Sequence, residues 1–340
     1  MSIEISENYS LQPYNTFGID VQARFFTRAH SISDLNEAIA FAKSRNIEIL
    51  VLGGGSNVLF TQDQNAVVVL NRLMGKQVER EDEGKYFVGA GAGENWHEFV
   101  QTAIQNNWAG IENLSLIPGC VGAGPMQNIG AYGVELSDVL HSVEALNIHT
   151  NEQHTFSVSD CQLGYRESVF KRKERGNWII TKVNFELYKR PKFKIEYGAI
   201  QSELEKMNVD ILSIEAVGRA VCQIRSSKLP DPKVLGNAGS FFKNPTIPVE
   251  QFEKLKQIDE HVPFYPVSDS EVKIPAGYLI EKCGWKGKQI GNCGVHHLQA
   301  LVLVNVGSAS GLEIKNLSEE IIQSVNEKYA VQLEREVNLY

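Results

Sequence analysis

The sequence is poor in cysteine and contains no pair spaced as Cys-x-x-Cys. Its cysteines are an odd number in a chain of 340 residues: Cys120, Cys161, Cys222, Cys283 and Cys293. A disulfide framework uses paired cysteines in a short secreted chain, and a zinc ribbon uses closely spaced pairs, so neither class fits. This pattern favours a reducing compartment, and we expect a cytoplasmic protein.

The sequence also lacks a basic leader and a long apolar run. Its first residues carry acids, Glu4 and Glu7, where a signal peptide carries lysines. The most apolar late stretch, 298–306, is much shorter than the about 20 residues that span a bilayer. Apolar residues make up 43% and charged residues 22% of the chain, as in ordinary globular proteins. We therefore expect no membrane insertion, and disordered or collagen-like classes are excluded.

Positive charge is not in excess, because 33 Lys and Arg stand against 41 Asp and Glu, a net charge of −8. A general surface for nucleic acid or anionic lipid is therefore not expected. An anionic ligand must be held by a local basic cluster. At about 150 residues per domain, the length predicts two or three units. Nothing in the sequence indicates an obligate protein partner.

Hydrophobic periodicity predicts alternating helices and strands, which favours an α/β or α+β fold. Residues 32–46 show helical spacing of apolar side chains, with Ser33 as the expected N-cap. Segment 170–177 is expected to form a hairpin tip. The other predicted helices span 96–106, 218–228 and 317–330, and the other predicted strands span 48–52, 66–70, 86–90, 143–148, 178–187, 211–216 and 331–339.

Two glycine-rich segments are the strongest local signals. Residues 53–57 read Gly-Gly-Gly-Ser-Asn after a predicted strand, which can leave backbone N–H groups free for a phosphate. A tight turn without a ligand is the alternative. A Rossmann fingerprint is absent, since Val58 and Glu94 stand where it needs glycine, and no Walker A lysine follows.

The second segment, 118–133, is too rich in glycine for regular structure and too apolar for a solvated linker. An extended cofactor with a pyrophosphate explains two such loops better than two unrelated turns would. Gln127 and Asn128 could offer side-chain amides to the edge of a heterocycle.

Five motifs together resemble one family, the UDP-N-acetylenolpyruvoylglucosamine reductases of peptidoglycan and cell-wall synthesis. They cover nearly the whole chain in the family's order, and Gly-Asn-Ala-Gly-Ser-Phe-Phe-Lys-Asn-Pro is the most specific. The motifs are 15–18, 53–57, 118–133, 164–168 and 236–245.

The resemblance implies an α+β fold with a two-part FAD-binding domain of the vanillyl-alcohol-oxidase type and a C-terminal α+β substrate-binding domain. The implied boundaries are 1–75 and 76–229 for the two FAD-binding parts and 230–326 for the substrate domain. Residues 327–340 are expected to return to the flavin site. The implied FAD-binding residues are Gly53, Gly54, Gly55, Ser56, Asn57, Pro118, Gly119, Gly122, Ala123, Gly124, Asn128, Ile129, Gly130 and Arg225.

The family's reaction uses NADPH to reduce FAD, whose N5 then gives hydride to the terminal enolpyruvyl carbon of the nucleotide sugar. The resemblance implies that Ser240 protonates the adjacent carbon and that Arg166 and Glu336 stabilise the enolate. Each residue also has an ordinary interpretation. Ser240 could be a turn residue, Arg166 a surface arginine of a basic segment, and Glu336 an exposed acid.

The substrate residues are likewise implied by the resemblance. Tyr197 matches a tyrosine loop found in the longer members of the family. The full implied set is Tyr132, Tyr197, Lys228, Asn244, Tyr265, Lys273, Lys286 and Gln299. The family's C-terminal motif commonly reads Glu-Pro-Glu-Val-Arg, whereas this chain has Arg335 and Asn338 at the proline and arginine positions. No metal is expected, since Cys293, His296 and His297 match no zinc spacing.

Two other functions are also compatible with the sequence. One is an FAD-linked sugar or alcohol oxidase that passes electrons to oxygen. Many such oxidases hold flavin covalently through His or Cys, and of these two types only Cys120 lies in a glycine-rich loop. The other is a binding protein for nucleotide sugars without catalysis, which would not require the trio of Arg166, Ser240 and Glu336.

Overall fold

The computed structural model describes residues 3–340, which divide into two compact units. The first unit comprises 3–9, 23–54 and 65–227, and the second comprises 10–22, 55–64 and 228–340. The finer division of the FAD-binding part at residue 75 stays a prediction.

Strands and helices alternate along the chain. The strands are β1 (Ser6–Ser10), β2 (Gln22–Ala29), β3 (Glu48–Leu52), β4 (Val58–Leu59), β5 (Gln64–Asn71), β6 (Lys76–Glu81), β7 (Lys85–Gly91), β8 (Gly130–Ala131), β9 (Val134–Glu135), β10 (Leu140–Asn147), β11 (Gln153–Ser157), β12 (Trp178–Tyr188), β13 (Gly236–Ser240), β14 (Thr246–Pro248), β15 (Tyr265–Pro266), β16 (Glu271–Lys273), β17 (Gln289–Ile290), β18 (Cys293–Val295), β19 (Val302–Asn305) and β20 (Asn338–Leu339). The α-helices are α1 (Ile32–Arg45), α2 (Trp96–Gln105), α3 (Ile200–Lys206), α4 (Ile214–Lys228), α5 (Val249–Ile258), α6 (Ala276–Lys282) and α7 (Gly311–Tyr329). Short 3-10 helices span Gln12–Tyr14, Glu112–Leu114, Val121–Ala123, Leu136–Asp138 and Val169–Lys171.

Helix α1 begins at Ile32, the first residue of the predicted range 32–46, but its N-cap differs from the prediction. Ser31, not Ser33, is its N-cap. The Ser31 side chain accepts the backbone N–H of Asp34, and the Asp34 carboxylate accepts the N–H of Ser31. This reciprocal capping box satisfies two N–H groups that the first turn of a helix leaves unpaired. Ser33 lies inside the first turn, and the predicted apolar stripe is buried.

The first unit contains two sheets. One has the order β1-β2-β5-β3, with β3 and β5 parallel from Glu48 opposite Ala66 to Leu52 opposite Leu70. The other is antiparallel, in the order β11-β10-β12-β7-β6. Helix α2 packs its apolar face, including Trp96 and Phe99, into the core of this second sheet. The glycine-rich segment 118–133 contains mainly turns and short 3-10 structure, as expected.

Two predicted elements of the first unit are wrong. Segment 170–177 is not a hairpin tip, because the preceding strand β11 pairs with β10, and β12 pairs with β10 and β7. The predicted strand 211–216 is wrong, because 211–213 is irregular and 214–216 is the start of α4. Ile211 is 83% exposed, so the apolar run contains a residue that no core buries. The Ser213 hydroxyl accepts the N–H of Ala216 at the start of α4.

The second unit contains the antiparallel sheet β13-β19-β18-β17 and the small sheet β14-β16-β15. Helix α7 packs against β18 and β19. The predicted closing strand 331–339 is wrong over most of its length. Only β20 is a strand, in parallel pairing with β4, and Arg335 forms an isolated bridge with Phe242. Within residues 3–340, no helix is long and apolar enough to cross a membrane.

Candidate active site

In the first unit, the two glycine-rich loops touch backbone to backbone. A Cβ on Gly54 would lie 2.7 Å from the Cα of Gly119, and a Cβ on Gly53 would lie 3.5 Å from the Cβ of Cys120. The backbone cannot move aside cheaply at Gly54. The glycine at this position is therefore required by the approach of the second loop.

The second loop is anchored to the end of β7 and the start of α2. The N–H of Trp96 donates to the carbonyl of Gly119 at 3.0 Å, and the N–H of Val121 donates to the carbonyl of Glu94 at 2.9 Å. A Cβ on Gly122 would lie 2.5 Å from that of Ala92. Close packing thus explains this glycine. The neighbouring expected cofactor residues lie in the same loop, with Pro118 and Ala123 exposed and Gly124 buried.

Several backbone donors in this unit have no protein acceptor. Within residues 3–340, the N–H groups of Gly54, Cys120 and Asn128 donate no hydrogen bond. Cys120 is 7% exposed and Asn128 is 1% exposed. Gly54 is exposed. Buried N–H groups are almost always paired in native proteins, so the donors at Cys120 and Asn128 fit a ligand rich in acceptors. FAD, with its pyrophosphate and its carbonyl-bearing ring, has this character.

The Asn128 side chain does not have the free amide that the sequence suggested. Its Nδ2 donates to Glu135 Oε2 at 2.8 Å and to the carbonyl of Gly164 at 3.2 Å, and its Oδ1 accepts the N–H of Ser137 at 3.0 Å. The amide therefore braces the loop internally. Any contact of Asn128 with a cofactor must use the backbone.

Arg166 lies against the end of the second loop. Its Nη2 donates to the carbonyl of Gly130 at 2.8 Å. The backbone of Arg166 has a φ of +56°, and Asn128 and Tyr132 also have positive φ. Non-glycine residues in this region are uncommon and tend to occur at functional sites. Ile129 is buried beside Gly130 and donates its N–H to Gly124.

Arg225, on α4, and Tyr132 form a half-buried pair of polar groups in the first unit. Burial lowers the pKa of Arg225 and raises the pKa of Tyr132, and the positive charge of Arg225 opposes that rise. Tyr197 is 54% exposed, and its Cβ lies 3.2 Å from where a Cβ on Gly133 would stand. Tyr132 and the Tyr197 loop are thus brought together.

In the second unit, Gly55 has a φ of +60°, and a Cβ there would lie 1.9 Å from the carbonyl oxygen of Tyr14. The Gly55 carbonyl accepts the N–H of Thr16 at 3.0 Å. The N–H groups of Gly55 and Ser56 have no acceptor within residues 3–340. The motif at 15–18 therefore supports the glycine-rich turn.

Ser240 and Glu336 are brought close together in the second unit. Ser240 stands opposite Val302, and the N–H of Glu336 donates to the carbonyl of Phe241 at 2.8 Å. Both are partly buried. Asn57 Nδ2 donates to the carbonyl of Glu336 at 3.2 Å, which links the glycine-rich turn to the C-terminal segment. Arg166 belongs to the other unit.

The two departures from the family motif have structural partners. Arg335 Nε donates to the Ser318 hydroxyl at 2.8 Å, and its Nη2 pairs with Glu319. Asn338 donates to the carbonyl of Asn57 through both its backbone N–H and its side chain, at 3.1 and 3.0 Å. The segment that carries Glu336 is therefore held on both sides.

The expected substrate residues of the second unit are dispersed. Asn244 Oδ1 accepts the N–H of Ala276 at the start of α6, at 2.9 Å. Tyr265 stands opposite Lys273 in the small sheet, so these two are brought together. Lys286 pairs with Glu281 at 3.0 Å, Gln299 lies in the turn before β19, and Lys228 is exposed at the end of α4.

Sequence reasoning missed two side chains near these motifs. Lys243, which follows Phe242, is buried, and its Nζ lies 2.6 Å from Glu334 Oε1. His97 accepts the N–H of Leu116 through Nδ1 at 3.0 Å. The position of Lys243 next to two phenylalanines was a sequence signal that could have identified it. Nothing local distinguishes His97, since its partner is 19 residues away in the chain.

Comparison with known proteins defines the class. Residues 23–157 match the family described as FAD binding domain, and residues 231–340 match the C-terminal domain of UDP-N-acetylenolpyruvoylglucosamine reductase. The chain is an FAD-binding oxidoreductase. It is 49% identical over its full length to the UDP-N-acetylenolpyruvoylglucosamine reductase of Pseudomonas savastanoi pv. phaseolicola and covers 100% of that protein. It is 48% identical to the reductase of Flavobacterium johnsoniae, over 99% of this chain and 100% of that protein. The chain belongs to the UDP-N-acetylenolpyruvoylglucosamine reductase family.

Two solved structures share the fold. The reductase of Thermus caldophilus superposes with a TM-score of 0.68 at 23% identity, over 100% of this chain and 99% of that chain. A 4-ethylphenol oxidase from Gulosibacter chungangensis has a TM-score of 0.50 at 12% identity, over 93% and 82% of the respective chains. At these identities the likeness concerns the fold alone. It agrees with the predicted α+β architecture of the vanillyl-alcohol-oxidase type.

Proposed function

We propose that this chain reduces the enolpyruvyl group of UDP-N-acetylglucosamine enolpyruvate to give UDP-N-acetylmuramate. The reaction would serve peptidoglycan precursor synthesis in the cytoplasm, with NADPH as the hydride donor. The observation that carries the proposal is the near-half identity to reductases of this name over the whole chain. The chemistry that FAD supplies when bound is hydride transfer from NADPH to the enolpyruvyl group.

The unpaired N–H groups suit the cofactor, and the loop glycines suit its close approach. The N–H groups of Gly54, Cys120 and Asn128 would donate hydrogen bonds to phosphate or ring carbonyl oxygens, and the N–H groups of Gly55 and Ser56 are donors of the same kind. Burial without a protein partner is costly for an N–H group, so occupancy by a ligand would stabilise these loops.

Ser240 would give a proton to the carbon next to the enolpyruvyl terminus. A hydroxyl is a weak acid in water, and it can serve only if it is held against its acceptor. The bulge that β13 makes before Ser240 and the pairing with Val302 hold its backbone in place. A fixed position supports this role.

Arg166 and Glu336 would act on the charge that develops during reduction. The Arg166 guanidinium is a permanent cation and can face a carboxylate with two donors. Its contact with Gly130 orients the side chain from one edge. Glu336 would supply a hydrogen-bonding partner beside Ser240, because its backbone is bonded to the residue after Ser240.

The substrate carries a diphosphate and a carboxylate, so its binding would need a local basic lining on a chain of net charge −8. Lys228, Lys273 and Lys286 would supply cations. Asn244, Tyr265, Gln299, Tyr132 and Tyr197 would supply hydrogen bonds.

The test is an anaerobic two-step reduction of the holoenzyme. NADPH should bleach the flavin absorbance, and UDP-N-acetylglucosamine enolpyruvate added afterwards should restore it within seconds. Failure of this substrate to restore the absorbance would overturn the proposed function. Rapid reoxidation by oxygen alone, with flavin that stays attached after denaturing precipitation, would favour a sugar or alcohol oxidase instead.

A further inference from the structure

Leu116 is held in a left-handed backbone conformation by side chains from two helices. Its φ is +59°, which a leucine rarely adopts without external support. Its N–H donates to Nδ1 of His97 on α2 at 3.0 Å, and its carbonyl accepts from Nε of Arg225 on α4 at 3.2 Å. Both backbone polar groups of Leu116 are thus hydrogen-bonded to side chains.

The brace lies at the start of the second glycine-rich loop. Leu116 stands two residues before Pro118 and three before Gly119, whose backbone packs against Gly54. The N–H groups of Cys120 and Asn128, which find no acceptor among residues 3–340, follow in the same loop. The direction in which the chain leaves Leu116 therefore contributes to where Gly119 and the Cys120 N–H lie.

The bond to Leu116 defines the state of the imidazole. An N–H donor can bond Nδ1 only when that nitrogen carries a lone pair, so the proton of neutral His97 resides on Nε2. Burial lowers the pKa of His97. The charge of Arg225 lowers it further, while Glu98, its neighbour on α2, acts in the opposite direction. Neutral pH therefore favours the form that accepts the bond.

We propose that His97 is a positioning residue for FAD, which holds Leu116 through unprotonated Nδ1 and so places the cofactor loop that begins at Pro118. This inference rests on the proposed role of that loop in FAD binding. Protonation of Nδ1 would replace an acceptor with a donor that faces the Leu116 N–H. The brace should then open, and FAD should leave more readily.

Substitution of His97 by asparagine or glutamine distinguishes this role from simple packing. Asparagine places its Oδ1 near the position of Nδ1, whereas glutamine places its amide near Nε2. His97→Asn should therefore keep the acceptor, and His97→Gln and His97→Ala should lose it. We expect the FAD dissociation constant to rise about tenfold for the Gln and Ala variants, equivalent to about 1.4 kcal/mol, and to stay within about twofold for the Asn variant.

The measurement is FAD release from diluted holoenzyme, followed by the fluorescence of the free flavin between pH 5.5 and 8. Wild-type affinity should be constant at neutral and higher pH. It should fall only at a pH below about 6.5, the ordinary pKa of histidine, because burial lowers the pKa of His97. His97→Asn should not show this fall. His30→Asn, at an exposed histidine, is the control and should behave as wild type.

Failure of the proposed role of His97 and failure of the proposed reaction give different results. If the Gln and Asn variants release FAD alike, or if the Asn variant keeps the wild-type pH profile, His97 does not position the loop through Nδ1. If wild type binds FAD but never reduces the enolpyruvyl substrate, the proposed reaction is wrong. The role of His97 is then decided by the FAD-release measurements alone. A folded wild type without affinity for FAD would overturn both.

Discussion

The N–H of Glu336 donates to the carbonyl of Phe241 at 2.8 Å, immediately after Ser240. Two residues that lie 96 positions apart are therefore held by adjacent backbone groups. The bridge between Phe242 and Arg335 and the bond from the Lys243 N–H to the Glu334 carbonyl extend the pairing. A change in either segment should disturb both side chains.

Ser240→Ala should separate the two half-reactions. If Ser240 protonates the substrate carbon, turnover should fall by about 10²- to 10⁴-fold, the usual contribution of a positioned general acid. Flavin reduction by NADPH, measured by stopped flow, should stay near wild type. Ser268→Ala, at an exposed serine of the same unit, should change neither rate. Equal losses in both half-reactions would mean that Ser240 has a structural role.

Arg166→Lys should lower kcat/KM for the nucleotide sugar by about 10²-fold, because a lysine lacks the planar fork that faces a carboxylate with two donors. The matched control is Arg175→Lys, at an exposed arginine of the same basic segment. Steady-state kinetics would check both variants. Similar kinetics for the two would place Arg166 among ordinary surface residues.

Glu336→Gln should reduce turnover by about 10²-fold while leaving the backbone bond to Phe241 intact, because the charge is lost but the shape is kept. Thermal unfolding should change little. Glu327→Gln, exposed on α7, is the control. A large drop in the melting temperature without a specific loss of turnover would show that Glu336 acts in folding alone.

Gly54→Ala should weaken FAD binding. The new Cβ would lie 2.7 Å from the Cα of Gly119, so the two loops must separate. We expect the FAD dissociation constant to rise at least about tenfold, since a forced backbone shift typically costs about 1–3 kcal/mol. Gly84→Ala adds a Cβ with only the Asp82 carboxylate nearby, at 3.9 Å, and should bind FAD normally. Normal binding by both variants would contradict the close approach.

Cys161 should resist alkylation in the folded protein. Burial raises its pKa to about 12, and the side chain is 0% exposed, so the reactive thiolate is scarce and inaccessible. Iodoacetamide at pH 8, followed by peptide mass spectrometry, should modify partly exposed Cys222 sooner than Cys161. Denaturant should remove the difference. Native labelling of Cys161 at the rate of Cys222 would refute its burial.

Local patterns identified much of the fold. Apolar spacing located α1 and α2, because a helix repeats its buried face every 3.6 residues regardless of its partners. It failed for 211–216, where Ile211 is exposed and the residues from Ile214 onward belong to α4. It also failed for the N-cap of α1, where three serine and aspartate positions compete within one turn. The side-chain partners of Ser31 decide that case.

The candidate site also contains residues that the sequence identified and residues that it did not. The loop glycines and Ser240 could be read from motifs, whereas His97 could not, because its role depends on a contact with Leu116. The engaged amide of Asn128 was also hidden, since its partners Glu135 and Gly164 lie 7 and 36 residues away.

The amino-acid sequence by itself determined the class of the protein, since few cysteines, the absent Rossmann fingerprint and five ordered motifs depend on residue identity alone. Only the tertiary structure decided which groups meet. It placed Glu336 beside Phe241, engaged the Asn128 amide and braced Leu116 from two helices. Each of these is a contact between distant segments, and its geometry is set by the packing of the whole unit rather than by any local preference.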